Sequence, residues 1–245
     1  MEALFDVHLH HPKTTVLAPP GTSLKFVASG FSPATNAEVM EYSKNNASFF
    51  SLGLAPQDVI RAENPDALFD DLKAKVAEAK ANPALSPRFV AIGECGLDHH
   101  WAKNENEKEE ERRIFSQVIE FAKSINKPLV IHSRDAEGDC IKMLHDASCK
   151  KALLHCFGGS LEQALLASSY GWLVSIPPVP SKERKKIITA LPISSLVVES
   201  DAPYIGKMSS DTLKSAEMVA KYKGISIGEC LSATYANACA FFGVG

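Results

Sequence analysis

Two imidazoles, His8 and His10, stand one residue apart in the opening run Phe5-Asp6-Val7-His8-Leu9-His10. Alternate side chains of an extended strand share a face, so both project to one side while Val7 and Leu9 project to the other. Such a pair can grip one cation. Further metal-ligand types close later apolar runs: Glu94 in Gly93-Glu94-Cys95, His132 in Ile131-His132-Ser133-Arg134, His155 in Leu154-His155-Cys156 and Asp201 in Glu199-Ser200-Asp201. Four imidazoles and two carboxylates exceed what one tetrahedral ion takes, and that mixture suits zinc, manganese, iron or a related divalent ion. The set predicts two metal ions. A pair about 3.5–4 Å apart lowers the pKa of bound water from ~15.7 towards ~7 and stabilises the oxygens of a hydrolysed ester. Glu94 is the carboxylate read as reaching both.

These residues need a scaffold that brings distant strand ends to one face. Eight apolar runs recur with helix-like segments between them, at 3–8, 24–29, 49–54, 89–94, 128–132, 152–155, 172–176 and 196–200. The alternation is that of βαβ units around a parallel sheet, and eight repeats are the barrel number. Helices are predicted over 33–44, 66–81, 104–126, 138–148, 161–170 and 181–190, with a closing pair over 213–242 broken at Lys223-Gly224. The charge run Glu105, Glu107, Glu109, Glu110, Glu111, Arg112 and Arg113 reads as a solvated first turn and face. The basic block Lys182, Arg184, Lys185 and Lys186 reads as another solvated face, with attraction of a polyanion as the functional alternative.

At 245 residues, 45% apolar and 22% charged, the chain has the composition of a folded globular protein, and one domain spanning 1–245 is expected. A net charge of −3 gives no sign of a nucleic-acid coat or a membrane-surface binder. Six cysteines without a CxxC pair suit reduced thiols in a chain with no signal peptide, so a cytoplasmic location is expected. No apolar run approaches the roughly 20 residues that span a bilayer. Cys95 and Cys156, beside the ligand positions, are read as small core hydrophobes.

His8-Leu9-His10, Gly93-Glu94-Cys95-Gly96-Leu97-Asp98, 128–136, His155-Cys156-Phe157-Gly158-Gly159 and Glu199-Ser200-Asp201-Ala202-Pro203-Tyr204 together resemble the successive motifs of the TatD family of metal-dependent deoxyribonucleases, among the amidohydrolase-like barrels. The resemblance runs from the first strand to the last. It implies a single-domain (β/α)8 TIM barrel, a divalent-metal centre (Mg, Mn or Zn) and hydrolysis of DNA phosphodiesters at a chain end. It also implies that His8, His10, Glu94, His132, His155 and Asp201 fall on the metal positions. Two departures stand out: Gly53-Leu54-Ala55-Pro56 occupies the place of a Gly-x-His-Pro turn, so a polar group is missing there, and Ser209-Ser210-Asp211 follows Tyr204 where an Arg-Asn-Glu-Pro-like run is usual.

Roles follow from these positions. Glu94 and Asp201 are the catalytic carboxylates, Asp201 accepting the proton of the attacking water. Arg134 is the candidate phosphate contact, since a guanidinium can bind phosphate bidentately. Asp98 and Glu199 are candidates to orient ligand histidines from behind, with a turn or capping role as the alternative for Asp98 and a ligand role as the alternative for Glu199. His11, His99, His100 and His145 are read as structural, with base stacking or substrate contact as the alternative for the His99-His100-Trp101 loop. DNA, single-stranded or at an end, is the expected substrate, with no membrane and no obligatory protein partner. The competing readings are a metal-dependent amidohydrolase or esterase acting on a small molecule, and a metal-binding protein without turnover.

Overall fold

A computed structural model describes residues 2–11, 13–46 and 48–245. Among the described residues eight strands form one sheet whose neighbours follow chain order from first to last. They are β1 (Glu2–Leu9), β2 (Thr22–Ser29), β3 (Phe49–Leu54), β4 (Phe89–Asp98), β5 (Leu129–Arg134), β6 (Ala152–Leu154), β7 (Leu173–Ile176) and β8 (Leu196–Val198). Between and after them lie α1 (Pro33–Asn45), α2 (Pro56–Val59), α3 (Pro65–Ala81), α4 (Glu105–Ser124), α5 (Glu137–Asp146), α6 (Leu161–Ser169), α7 (Lys182–Ala190), α8 (Thr212–Lys223) and α9 (Ile227–Phe242). Sequential strands with helical crossovers are the topology of the (β/α)8 barrel class. The short α2 is the helix that the apolar spacing does not predict. Among the described residues no helix is long and apolar enough to cross a membrane.

Packing divides the chain into two compact units, one of residues 28–153 and one of 1–27 with 154–245. In the first unit β3, β4 and β5 pair in parallel. Phe50 and Phe89 meet with ring centroids 5.7 Å apart; Phe69, Leu72, Val76 and Ala79 of α3 and Ile114, Phe115, Val118, Ile119 and Ala122 of α4 are buried, while Leu68 at the edge of the α3 stripe is half-buried. Asn64 and Asn104 cap these helices by accepting the N–H groups of Ala67 and Glu107.

Strand β4 runs four residues beyond the predicted 89–94 and is buried throughout. Glu94 therefore lies inside the strand, and Asp98 marks its end. Gly96 has φ +147°, and a Cβ there would sit 2.0 Å from the His132 carbonyl oxygen, so only glycine lets the two strands approach this closely. Behind Glu94 stands Gly53, whose absent Cβ would lie 2.2–2.3 Å from the Gly93–Glu94 backbone. The buried Asn36 side chain fixes Gly53, donating to its carbonyl at 2.9 Å and accepting its N–H at 3.1 Å.

The charge run of α4 is not wholly solvated. Glu111 is only 1% exposed, and its Oε2 accepts the Asp98 N–H at 3.1 Å, tying the helix to the end of β4. The other acids occupy the outer face, where Arg113 bridges Asp66 and Glu110. Burial raises the Glu111 carboxyl to about 7, against the smaller lowering effect of that hydrogen bond.

In the second unit β7 and β8 pair in parallel, and α9 covers β1 through Phe5, whose ring centroid lies 5.9 Å from Tyr235 and 5.8 Å from Phe242. Gly224, at φ +68°, caps α8 where the closing helix pair is predicted to break. The basic block is also divided: Lys182, Lys185 and Lys186 are exposed, while Arg184 turns inward to the carbonyls of Phe157 and Val179.

Two outcomes test these contacts. Gly53→Ala should destabilise the protein by about 2 kcal/mol or more, read as a lower urea midpoint, because its Cβ meets backbone rather than a yielding side chain. Glu111→Gln keeps the acceptor for Asp98 but cannot ionise. The unfolded carboxyl, at an ordinary 4.5, loses its proton before the folded one at about 7, so wild-type stability falls as pH rises through that window. The variant should therefore gain on the order of 1–3 kcal/mol relative to wild type between pH 5 and pH 8 in denaturant titrations.

Candidate metal centre

In the unit built from both ends of the chain, β1 presents His8 and the following position presents His10, both buried and on one side as alternation requires. Their Nε2 atoms are 3.3 Å apart. The backbone after β8 is laced to this segment: Asp201 N donates to His8 O at 3.0 Å and His10 N donates to Ala202 O at 2.8 Å. Asp6 tightens the junction by accepting the N–H groups of Ser200 at 2.9 Å and His8 at 3.3 Å. It is wholly buried, and burial lifts its carboxyl to about 7 despite these bonds. Asp201 adopts the left-handed region at φ +46°, which aspartate tolerates better than most residues. Its Oδ1 lies 3.3 Å from His10 Nε2. Burial would raise the Asp201 carboxyl, but the bond to His10 and the neighbouring imidazoles hold it below the ordinary value.

His155 follows β6 and stacks its ring on His8, centroids 4.0 Å apart and planes within 16°. The next residue, Cys156, is at φ +45°, an unfavourable backbone for a side chain without local hydrogen bonding. Glu199 holds this turn: its Oε1 accepts the Cys156 N–H and lies 3.9 Å from His155 Nδ1. Glu199 is fully buried, and burial raises its carboxyl. It thus lies against both the Cys156 turn and the His155 ring. Cys156 is partly exposed, whereas Cys95 is buried as expected.

In the other unit Glu94 and His132 come together from β4 and β5, with Glu94 Oε1 2.9 Å from His132 Nδ1. Asp98 Oδ2 lies 2.9 Å from the other ring nitrogen. Burial alone would lower the His132 pKa, but its bonds to Asp98 and Glu94 prevail and raise it to about 10. Asp98 is fully buried against this histidine. Gln57, on α2, also donates to Asp98 Oδ2 and lies 3.3 Å from His132 Nε2. A polar side chain thus reaches this group although Ala55 stands where a histidine is usual.

Arg134 is exposed at the end of β5 and pairs in register with Asp98; its carbonyl accepts the His99 N–H at 2.9 Å. His99 and His100 face Asp139 and Asp135 at 3.9 and 3.6 Å, and Trp101 stands edge-on to His100 with Arg61 over its ring. Asp6, Gln57 and Glu111 escaped the reading of the sequence. Asp6 shares its strand face with His8, which alternation signals; Gln57 and Glu111 have no such signal, because their partners come from other elements.

His8, His10 and Asp201 each offer one donor atom, all within 4.8 Å of one another and all buried. Two imidazoles and an anionic carboxylate out of water are what a divalent cation takes, and the cation would relieve the facing of two ring nitrogens. The donor set fits a metal.

A family profile described as "TatD related DNase" matches residues 7–243. The human protein named "Deoxyribonuclease TATDN3" is 35% identical over 165 residues, 63% of this chain and 60% of that protein. The Escherichia coli (strain K12) protein named "3'-5' ssDNA/RNA exonuclease TatD" is 30% identical over 191 residues, 70% of this chain and 73% of that protein. Among solved structures, the TatD homologue YJJV from Escherichia coli K12 is similar at a TM-score of 0.83 and 20% identity, covering 99% of this chain and 98% of that one, which shows the fold. With its profile match running nearly end to end and its histidine–carboxylate cluster suited to a metal, the chain belongs to the TatD related DNase family of metal-dependent hydrolases.

Proposed function

We propose that the protein is a divalent-metal-dependent deoxyribonuclease that hydrolyses phosphodiester bonds at the end of a DNA strand. The buried His8, His10 and Asp201 triad carries this reading, because it assembles a cation site from the family's own motifs. His8, His10, His155 and Asp201 would serve as ligands from one unit, Glu94 and His132 from the other, and two ions of Mg, Mn or Zn are the proposed complement. When bound, such ions acidify water and offset negative charge on the phosphate.

The chain's own groups have distinct tasks. Asp201, kept ionised at neutral pH, accepts the proton of the attacking water, whose oxygen bonds to phosphorus as the leaving strand oxygen departs. Asp6 and Glu199 hold the turns that carry Asp201 and His155, and Asp98 fixes the His132 ring. Arg134, exposed at the end of β5, is the proposed partner for a phosphate oxygen. All six cysteines are free, which supports a reducing, cytoplasmic setting.

Chelation should abolish hydrolysis of a labelled single-stranded oligonucleotide, and readdition of Mg²⁺, Mn²⁺ or Zn²⁺ should restore it. Activity that survives thorough metal removal, or turnover confined to a panel of amides and lactones, would overturn the proposal. Asp201→Asn should reduce kcat by at least about 100-fold while leaving the melting temperature within a few degrees, since the amide preserves the side-chain volume.

A further inference from the structure

Beside the cluster of His8, His10 and Asp201 lies a surface with no part in holding a metal. Tyr204 is 57% exposed, yet its ring meets that of His10 in a T-shaped contact, with centroids 4.7 Å apart at 72°. Lys13 donates to the Tyr204 hydroxyl at 3.2 Å, and its ammonium lies 5.8 Å from the ring centroid. Leu17, Ile205 and Met208 are exposed apolar neighbours in the same two loops, and Lys207 is an exposed cation among them.

The two loops are built rather than merely adjacent. The Ser209 hydroxyl donates to Leu17 O at 2.9 Å and accepts the Leu17 N–H at 2.7 Å, and Thr14 Oγ1 donates to Lys207 O. Ser209 stands in the short 209–211 segment that departs from the family's usual run, so the departure is used to tie one loop to the other. The Asp201 carbonyl anchors the far side by accepting the N–H groups of Tyr204 and Ile205, both at 2.9 Å. A largely exposed ring held by His10, with the Lys13 ammonium beside it, is what a stacked base and its phosphate require. Bases inside a duplex are stacked on one another and present no free face to such a ring, and only its terminal pairs do.

We infer that Tyr204 and Lys13 form the platform on which a single-stranded DNA substrate lies as it enters the site, Tyr204 stacking a base and Lys13 contacting the adjoining phosphate. This rests on the deoxyribonuclease reading above and deepens it by naming the residues that receive the strand. Tyr204 is a substrate-binding residue in this account and takes no part in proton transfer.

The test measures binding of a fluorescein-labelled, phosphorothioate-linked octathymidylate to the full-length, metal-loaded protein by anisotropy. Tyr204→Ala should weaken binding about tenfold or more, while Tyr204→Trp stays within about threefold of wild type because any aromatic face serves. Lys13→Ala should weaken binding and lower the salt slope by about one. With an ordinary oligonucleotide, Tyr204→Ala should raise KM far more than it lowers kcat. Tyr204→Ala with wild-type affinity, failure of Trp to restore it, or equal affinity for a duplex of the same length would overturn the inference. Wild-type protein that cleaves no oligonucleotide would instead fail the deoxyribonuclease reading, so the two failures are separable.

Discussion

Ionisable groups taken out of water must be neutralised by one another or by a shared cation, and this protein concentrates that demand at the ends and middles of its strands. Asp6, His8, His10, Glu199 and Asp201 are all buried within one unit, and Glu94, Asp98 and Glu111 are buried around His132 in the other. The carboxyls respond in two ways. Asp6 and Glu199, set behind the metal-type ligands, are pushed up by burial, whereas Asp201, touching His10, is held down. The difference separates carboxyls that burial raises and that fix backbone from one that stays anionic and can bind a cation or accept a proton.

Backbone geometry makes this arrangement hold. Asp201 and Cys156 both occupy left-handed conformations two or three residues past strand ends, and each is secured by a hydrogen bond to another segment of its unit. Strain of this kind persists where surrounding contacts over-determine it, which suits a site that must not relax as substrate arrives. Around β4 the same rigidity comes from absent side chains. Gly53 and Gly96 let strands approach closer than any Cβ allows, and Asn36 locks Gly53 with both its amide atoms. The Glu94 backbone is therefore set by a neighbouring strand that contributes no ligand.

Gln57 brings a polar side chain to the group around His132 from a helix that the apolar pattern does not mark. Ala55 leaves the usual histidine position apolar, but one turn of helix opening at Pro56 carries Gln57 to Asp98 and His132. A neutral amide there adds hydrogen bonds and no charge. The group around His132 is thus restrained from both its carboxylate side and its amide side.

Residue identity and spacing alone determined most of the scaffold and singled out the candidate ligands. Period-two alternation put His8 and His10 on one side, apolar stripes marked α3 and α4, glycine marked the break after α8, and eight runs separated by helices declared the fold class. These features are local, and local sterics and hydrophobic patterning encode them directly. The tertiary structure decided what depends on partners distant in sequence. It drew Glu111 out of a solvated charge run to meet Asp98, extended β4 past Glu94 through the φ of its glycines, turned Arg184 inward, and placed Tyr204 between His10 and Lys13. No periodicity announces such contacts, because each depends on which surface another element happens to present.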